Sequence, residues 1–398
     1  MKILILTDEI FPDAIGGIGK SLFNETVALS KRGHDISIIV RSTDHALPEN
    51  EIMHGMKIQR VNGPTQLSKF YYLYPIIMLY KLIGIFKSID EFFDIILVYN
   101  PIFLIAAHLS GISSRFPIGV IFYSSIAQEV YLNAGRKKYG IFTPLARLAA
   151  SILGQWERWA FRKSDFILTR SQYSRELLLE WESKANILEE IIPIGLDISQ
   201  YQPTNQKDAR EHLDLPHNIP ILVTVRRQVA RMGLENLITA VNHLNQKNIP
   251  VLLIVIGKGY LQSKLQEQVD QLGLNSHIKL MGFVSEELLP IYLGAADFFI
   301  LPTEALEGFG LATLEALAVG LPVIGTPIGA TTEILNMVEP KLLTQSASPQ
   351  ALTDAIIQWL DENDHSVLKQ SCREIVEQNY NSELVAQKLE ILFQKWVT

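Results

Sequence analysis

The chain has 398 residues, of which 48% are hydrophobic and 19% charged, and its net charge is −7. This composition indicates a globular protein with well-developed cores, excludes a disordered chain and argues against general nucleic-acid binding. The length fits two domains of roughly 150–200 residues, and the single cysteine, which excludes an intramolecular disulfide, favours a reducing cytoplasm.

Short apolar runs alternate with helical patterns along the whole chain. A first series covers residues 3–6, 36–40, 95–98, 118–122 and 166–169, and a second covers 221–225, 251–256, 278–281, 298–301 and 323–325. Such alternation is typical of parallel sheets covered by helices on both faces. Two series predict two doubly wound α/β domains, joined by a polar, proline-marked hinge at residues 196–206. The run that starts at Met1 is predicted to be a strand, not a signal peptide.

No apolar stretch of the sequence reaches the roughly 18–20 residues that span a bilayer. The longest, from Phe70 to Phe86, is interrupted by Pro75, Lys81 and Gly84. We predict that it forms a helix on the first sheet, and contact of its aromatic face with lipid is the alternative.

A glycine-bearing loop follows the first predicted strand. Gly16 and Gly17 precede a helix predicted from Ile18 to Arg32. Glycine lets the backbone approach a ligand closely, and a helix N-terminus attracts anions. The loop is long and lacks the G-x-G-x-x-G spacing of a dinucleotide site, so a nicotinamide-dependent dehydrogenase is a weaker alternative. A turn that serves packing alone is another.

Basic residues follow two strands of the second series. Arg226, Arg227 and Arg231 come after the run 221–225, and guanidinium groups bind phosphate oxygens in a bidentate manner. We therefore predict a phosphate site at this strand end. Lys258, between two glycines, follows the next strand and is either a nucleotide contact or a lysine of an ordinary turn.

The stretch from Leu301 to Gly320 combines a strand end, a glycine loop and a predicted helix. Unpaired backbone N–H groups near Gly310 would attract a phosphate. Two carboxylates, Glu307 and Glu315, bracket this helix end. Acids beside an anion site are favourable when they accept hydrogen bonds from neutral hydroxyls, which sugars and ribose supply. The pattern predicts a nucleotide-sugar site, with a pair of merely solvated acids as the alternative.

Glu307 and Glu315, in the context Glu-Gly-Phe-Gly-Leu-Ala-Thr-Leu-Glu-Ala, resemble the signature of retaining GT-B glycosyltransferases of glycosyltransferase family 4. The stretches 282–288 and 320–330 resemble the same family. The resemblance implies two Rossmann-like domains with a deep cleft between them. The first would comprise residues 1–199 and be completed by a C-terminal helix within 380–398, and the second would comprise 200–379.

The resemblance also implies roles for individual residues. Glu307 would hold the donor sugar and Glu315 the ribose, while Arg227 and Arg231 would bind the diphosphate. Further donor contacts are expected at Gly16, Gly17, Lys258, Phe283, Val284, Phe309, Gly310 and Leu311. Met232 stands where relatives carry a lysine, so Arg231 is expected to supply the second charge.

On the acceptor side, the resemblance points to the segment after the strand 118–122. Tyr123 stands where relatives commonly carry a histidine, and a tyrosine donates hydrogen bonds but is a poor base at pH 7. Ser124 and Glu129 are further acceptor-side candidates. The basic residues Arg136, Lys137, Lys138, Arg147, Arg158, Arg162 and Lys163 form either an anionic-acceptor surface or a solvated face.

The function implied is retaining, metal-independent transfer of a hexose-type sugar from a nucleoside-diphosphate sugar to a hydroxyl of a glycan, lipid-linked or small-molecule acceptor. UDP is favoured over GDP or ADP, and no cofactor is expected. No metal is expected, because the sequence shows no Asp-x-Asp pair and no His/Cys cluster at metal-ligand spacing, and the acidic net charge argues against nucleic acid. A cytoplasmic location is expected, with peripheral membrane contact of the first domain as an addition. A GT-B epimerase, a phosphorylase and a catalytically silent relative remain alternatives.

Overall fold

The computed structural model describes residues 1–14, 16–44, 46–64, 73–123, 125–135, 140, 143–362 and 364–397. The chain divides into two compact units, Met1–Gly195 with Ser382–Thr398 and Leu196–Asn381. Each unit is an α/β fold built on one largely parallel sheet, as predicted. The predicted division after residue 199 falls a few residues inside the second unit.

The first unit contains an eight-stranded sheet in the order β3-β4-β2-β1-β5-β6-β7-β8. Its strands are β1 Lys2–Thr7, β2 Asp35–Ser42, β3 Asn50–Met53, β4 Met56–Asn62, β5 Ile95–Val98, β6 Ile118–Phe122, β7 Phe166–Thr169 and β8 Ile187–Ile191. All neighbours are parallel except β3 and β4. The prediction missed β3, β4 and β8, because at the sheet edges exposed or half-buried side chains replace a continuous apolar run.

Helices cover both faces of the first sheet. They are α1 Gly17–Lys31, α2 Tyr74–Lys87, α3 Pro101–Ser110, α4 Ile126–Gly135, α5 Thr143–Lys163, α6 Gln172–Trp181 and, at the end of the chain, α15 Ser382–Val397. On one face, Leu82 of α2, Phe103 of α3 and Phe161 of α5 share a single core. On the other face, Leu22 of α1 and Phe393 of α15 share a second core. The predicted helix 70–86 corresponds to α2, and residues 70–72 lie outside the described residues.

The second unit contains a five-stranded parallel sheet in the order β11-β10-β9-β12-β13. Its strands are β9 Ile221–Val225, β10 Leu252–Ile256, β11 Ile278–Gly282, β12 Phe298–Leu301 and β13 Val323–Gly325. Its helices are α7 Gln206–His212, α8 Leu234–Gln246, α9 Gln262–Gln271, α10 Leu289–Ala295, α11 Leu311–Ala318, α12 Thr331–Val338, α13 Pro349–Leu360 and α14 Ser366–Asn379. All five strands of this sheet were predicted, and the central strands β9, β10 and β12 are almost entirely buried and apolar, as expected of parallel strands covered on both faces.

The strand order places the predicted donor-binding segments together. β9 lies between β10 and β12, so the loops after these three strands leave the same edge of the sheet. The order reverses direction between β9 and β12, and the carboxyl ends of strands at such a switch point are where α/β sheets bind ligands. In the described parts of the chain, no helix combines the length and apolar character needed to cross a bilayer.

Candidate active site

The carboxylate of Glu307 lies at this switch point, in the loop between β12 and α11. It is buried and forms an ion pair with Arg226, the first residue after β9. The hydroxyl of Thr303 donates to Glu307 Oε2 at 3.0 Å, and Arg226 also contacts Thr303. Oε1 of Glu307 accepts no hydrogen bond from the residues that the structure describes. One carboxylate oxygen is therefore fixed by the protein, and the other is available to a ligand.

Glu307 is ionised in this setting. Burial opposes ionisation, but the charge and hydrogen bond of Arg226, followed by the charge of Arg231 and the Thr303 hydroxyl, lower the pKa of the carboxyl below its ordinary value. A buried carboxylate with a fixed counter-ion accepts hydrogen bonds strongly. The local chemistry suits neutral hydroxyl groups.

The three arginines after β9 have different surroundings, and their predicted binding of phosphate stays a prediction. Arg226 neutralises Glu307, and Arg231 donates to the backbone oxygen of Leu306 at 2.9 Å. The side chain of Arg227 is exposed and makes no ion pair within the described part of the chain. Met232 is buried, so its thioether side chain packs inward.

A glycine allows the loops after β9 and β12 to pack closely against each other. Gly233 precedes α8 with φ +70°, and a Cβ at this position would collide with the carbonyl of Pro302. The backbone N–H of Glu304 donates to the carbonyl of Arg231 at 2.9 Å, which adds a direct link. Only glycine combines this φ with this approach. The loop that carries Glu307 is thus held at a fixed distance from Arg231.

The N-terminus of α11 is open. Gly310 adopts the left-handed conformation at φ +87° and no described side chain caps the helix. The hydroxyl of Thr313, in the first turn, is buried and finds no hydrogen-bond partner among the described residues. Leu311 is buried, and the ring of Phe309 packs edge-on against Tyr380 at 5.6 Å between centroids. Phe309 and Leu311 can therefore reach a ligand chiefly through their backbone.

Glu315 lies farther along α11 and is also buried. Its Oε1 accepts from the hydroxyl of Tyr201 at 2.9 Å. Burial, and then the charges of Glu315 and Glu286, raise the pKa of Tyr201 far above its ordinary value, so the phenol stays protonated and donates. Tyr201 stands in the predicted hinge, where the sequence offers no motif that would associate it with Glu315.

Lys258, Phe283 and Val284 follow β10 and β11 at the same sheet edge. Lys258 is exposed, Val284 is half-buried, and the ring of Phe283 is 47% exposed. The N–H of Gly257 donates to the carbonyl of Gly282 at 2.6 Å and joins the two strand ends. An exposed aromatic ring beside a lysine is chemically suited to a nucleobase and its phosphates.

In the first unit, Gly16 precedes α1 and Gly17 is its first residue, as the glycine loop predicted. The end of this helix already holds a carboxylate, because Glu9 Oε1 accepts from the N–H of Gly19 at 3.3 Å. A Cβ on Gly16 would lie 2.9 Å from the same oxygen. No sequence motif marks Glu9, which an incoming phosphate would have to displace.

Tyr123 lies at the carboxyl end of β6 in a network of polar side chains. Its hydroxyl is 3.1 Å from the hydroxyl of Ser21, and the guanidinium of Arg170 lies 5.6 Å from its ring centroid. Arg170 forms an ion pair with Glu25 at 2.6 Å, and both are fully buried. Burial raises the pKa of Tyr123 to about 12, so the phenol can donate a hydrogen bond but not act as a base near pH 7.

The segment after Tyr123 is held in place by hydrogen bonds to a side chain of α5. Glu157 is fully buried and accepts from the N–H groups of Ile126 and Ala127, at 3.0 and 3.2 Å, and from the hydroxyl of Ser125. It thereby caps α4, whose first turn carries the half-buried Glu129. Burial raises the pKa of Glu157 to about 7. Ser124 and the basic run 136–138 lie outside the described residues.

Among the described residues, no group of three or more His, Cys, Asp or Glu is arranged to hold a metal ion. Two parallel-sheet Rossmann-like units, with a buried acid and an open helix end at a strand switch point, define the chain as a protein of the GT-B glycosyltransferase class. Residues 15–200 match the model of glycosyltransferase family 4, and residues 205–382 match that of glycosyl transferases group 1. The chain belongs to glycosyltransferase family 4.

Curated relatives match part of the chain. It is 27% identical over 236 residues to the GDP-mannose-dependent alpha-(1-6)-phosphatidylinositol monomannoside mannosyltransferase of Mycobacterium tuberculosis, a match of 57% of this chain and 60% of that protein. It is 21% identical over 268 residues to the 2-deoxystreptamine glucosyltransferase of Streptomyces kanamyceticus, at 66% and 69% coverage. The chain thus spans about 60% of the first relative's length.

Solved structures match the whole chain in fold. The sucrose-phosphate synthase of Thermosynechococcus elongatus has a TM-score of 0.81 at 21% identity and 99% coverage of both chains. HepE of Anabaena, solved in complex with UDP-glucose, has a TM-score of 0.75 at 18% identity, with 99% of this chain and 100% of that chain covered. At these identities the likeness establishes the fold.

Proposed function

We propose that the protein is a retaining, metal-independent glycosyltransferase that moves a hexose-type sugar from a nucleoside-diphosphate sugar to a hydroxyl of a glycan or lipid-linked acceptor in the cytoplasm, with peripheral contact of the first unit with a membrane. The observation that carries the proposal is the ionisation and the hydrogen bonding of Glu307. Its carboxylate is ionised, is held through Oε2 by Arg226 and Thr303, and keeps Oε1 for a ligand in front of the open end of α11.

In this proposal Glu307 Oε1 accepts a hydrogen bond from a hydroxyl of the donor sugar and orients its anomeric carbon. The diphosphate lies at the N-terminus of α11, where backbone N–H groups and the unpartnered Thr313 hydroxyl can donate to it. Arg227 and Arg231 add positive charge. Such groups act where negative charge develops on the leaving group, which is usually the largest contribution to catalysis.

Glu315 and Tyr201 hold the ribose in the same proposal. The Tyr201 hydroxyl donates to Oε1 of Glu315 and fixes the carboxylate, which accepts hydrogen bonds from the ribose hydroxyls in this proposal. The exposed ring of Phe283 and the backbone of Val284 contact the base. UDP remains favoured over GDP or ADP; HepE was solved with UDP-glucose, whereas the mycobacterial relative is named as GDP-mannose-dependent.

Retention of configuration is proposed through a same-face transfer. The bond from the anomeric carbon to the phosphate oxygen breaks, the acceptor oxygen bonds to that carbon, and the departing phosphate oxygen takes the acceptor proton. No protein nucleophile is needed. Tyr123, with its raised pKa, donates a hydrogen bond to sugar or acceptor and is not the base. Glu129 and Ser124 belong to the proposed acceptor side.

The test combines thermal shift with a turnover assay. UDP, GDP, ADP and their hexose derivatives are screened for a rise in melting temperature, since a ligand of the folded state stabilises it. The best donor is then incubated with candidate acceptors in the presence of EDTA, and release of free nucleoside diphosphate and the anomer of the product are measured. Release that requires an acceptor and survives EDTA supports the proposal. Loss of nucleoside-diphosphate release in EDTA would contradict metal independence. A product of inverted anomeric configuration would contradict retention.

A second candidate is a catalytically silent nucleotide-sugar binder. The buried Met232 in place of the family's lysine favours it, because a thioether cannot contribute charge to a diphosphate. The same assay separates the two: nucleotide-dependent stabilisation without donor hydrolysis or transfer identifies the silent binder. An epimerase would convert the donor sugar without any acceptor.

A further inference from the structure

The outer face of α5 carries a row of large apolar side chains. Leu145, Leu148, Ile152 and Trp156 are all exposed and recur at intervals of three or four residues, which places them along one stripe of the helix. The opposite face carries the buried residues Ala150, Gly154, Glu157 and Phe161. The helix therefore has two apolar faces, one in the core and one toward solvent.

Isolated apolar side chains are ordinary on protein surfaces, but a contiguous row of this kind marks an interaction site. Tyr131 of α4 is also exposed, and its ring lies 5.8 Å from the guanidinium of Arg147 on α5. α2 shares the core of α5 on the same face of the sheet, and its outer side exposes Ile76 and Tyr80. Two helices of one layer thus expose large apolar side chains.

The exposed charged residues of these two helices are all basic. α5 exposes Arg147, Arg162 and Lys163, and its sole acid, Glu157, is fully buried. α2 carries Lys81 and Lys87 and no acid between Tyr74 and Lys87. This arrangement contrasts with the net charge of −7 for the whole chain. Both helices thus expose basic residues and no acid, and one of these, Arg162, pairs with the largely buried Glu182 at 3.6 Å.

We propose that the outer face of α5 docks on a bilayer that contains anionic lipids, with Trp156 and Ile152 in the interface and the basic residues at the phosphates. An apolar stripe with tryptophan, flanked by Arg and Lys, is the composition of helices that lie in a membrane surface. A second copy of the chain fits less well, because an isologous contact would bring the same exposed cations together. The inference extends the membrane contact included in the proposed function, and its test needs no sugar transfer, so either can fail alone.

The first experiment measures sedimentation of the full chain with vesicles of phosphatidylcholine alone or mixed with phosphatidylglycerol. The protein should bind the mixed vesicles and not the neutral ones. Ile152→Glu should lower the partition coefficient at least about tenfold, since it replaces an inserted apolar side chain by a charge. The matched control is Ile391→Glu on α15, because Ile391 is 52% exposed and Ile152 is 54% exposed; it should leave binding unchanged.

The second experiment separates the apolar and ionic contributions. Replacing Arg147, Arg162 and Lys163 by Gln should weaken binding by roughly fivefold for each charge, and added salt should weaken the wild type more than this variant. Tryptophan fluorescence should shift to the blue on binding, and Trp156→Phe should remove most of the shift. Circular dichroism confirms that the variants are folded.

Several results would overturn the proposal. They are no binding to anionic vesicles, equal binding to neutral ones, or equal loss in Ile152→Glu and Ile391→Glu. Light scattering without lipid tests the alternative occupant, a second copy of the chain. A dimer that Ile152→Glu converts to a monomer would assign the face to that second copy.

Discussion

Arg226 and Glu307 form a buried ion pair that joins the ends of the neighbouring strands β9 and β12. The two residues are 81 positions apart in the chain. The pair keeps Glu307 ionised and fixes one of its oxygens, so the geometry of the predicted sugar-binding carboxylate depends on an arginine that does not itself need to touch the sugar.

Glu307→Gln should lower kcat for transfer by about 10²–10³-fold, because the amide is neutral and binds a sugar hydroxyl less strongly as the transition state forms. Nucleotide affinity should change only a few-fold, since the proposed phosphate and ribose groups remain. Initial rates and titration with the nucleoside diphosphate measure the two effects. Glu362→Gln, in an exposed loop of the same unit, is the control. A variant at position 307 with unaltered kcat would refute the assigned role.

Arg226→Met should destabilise the protein by about 3–5 kcal/mol, because it leaves the buried carboxylate of Glu307 without its counter-ion. The double variant with Glu307→Gln should recover part of that loss, since it removes the unpaired charge as well. Urea unfolding of the wild type, both single variants and the double variant gives the coupling energy. Strictly additive losses would show that the ion pair does not hold the loop.

The sequence predicted the second sheet well and the first sheet in part, for a physical reason. Strands buried on both faces, such as β9 and β12, appear as unbroken apolar runs. β4, next to the edge strand β3, mixes buried and exposed side chains, and the edge strand β8 is exposed or half-buried, so neither stands out from its surroundings. In the first sheet, apolar character therefore located the centre better than the edges.

The site shows the same division between local and tertiary information. Glu307 and Glu315 belong to a local motif and were found from their spacing. Their partners, Arg226 and Tyr201, come from distant parts of the chain and depend on how the strands pair. Successive side chains at a strand end point to opposite sides, so only the structure decides that Arg226 turns inward while Arg227 stays exposed.

Tyr201→Phe should raise KM for the donor by roughly five- to tenfold with kcat nearly unchanged, because the loss of one hydrogen bond frees the Glu315 carboxylate to move. Glu315→Ala should weaken nucleotide binding more, and the double variant should be no worse than Glu315→Ala alone. Steady-state kinetics and UDP titration provide the readouts. Tyr292→Phe, in the same unit, is the matched control. A fall in kcat without a change in KM would contradict a positioning role.

Glu157 should make stability depend on pH between 4.5 and about 7. Its folded pKa, raised by burial to about 7 from an ordinary 4.5, means that the folded state holds this proton more tightly than the unfolded chain. The stabilisation is complete below pH 4.5 and is lost as pH rises through 7, and it amounts to roughly 3 kcal/mol. Glu157→Gln keeps the cap on α4 without titrating, so the wild type should lose stability relative to this variant as pH increases.

Urea unfolding at pH values on both sides of this range measures the difference, with Glu176→Gln on the exposed side of α6 as the control. A constant difference between wild type and Glu157→Gln across the range would mean that Glu157 is already ionised throughout, held so by the N–H groups of Ile126 and Ala127.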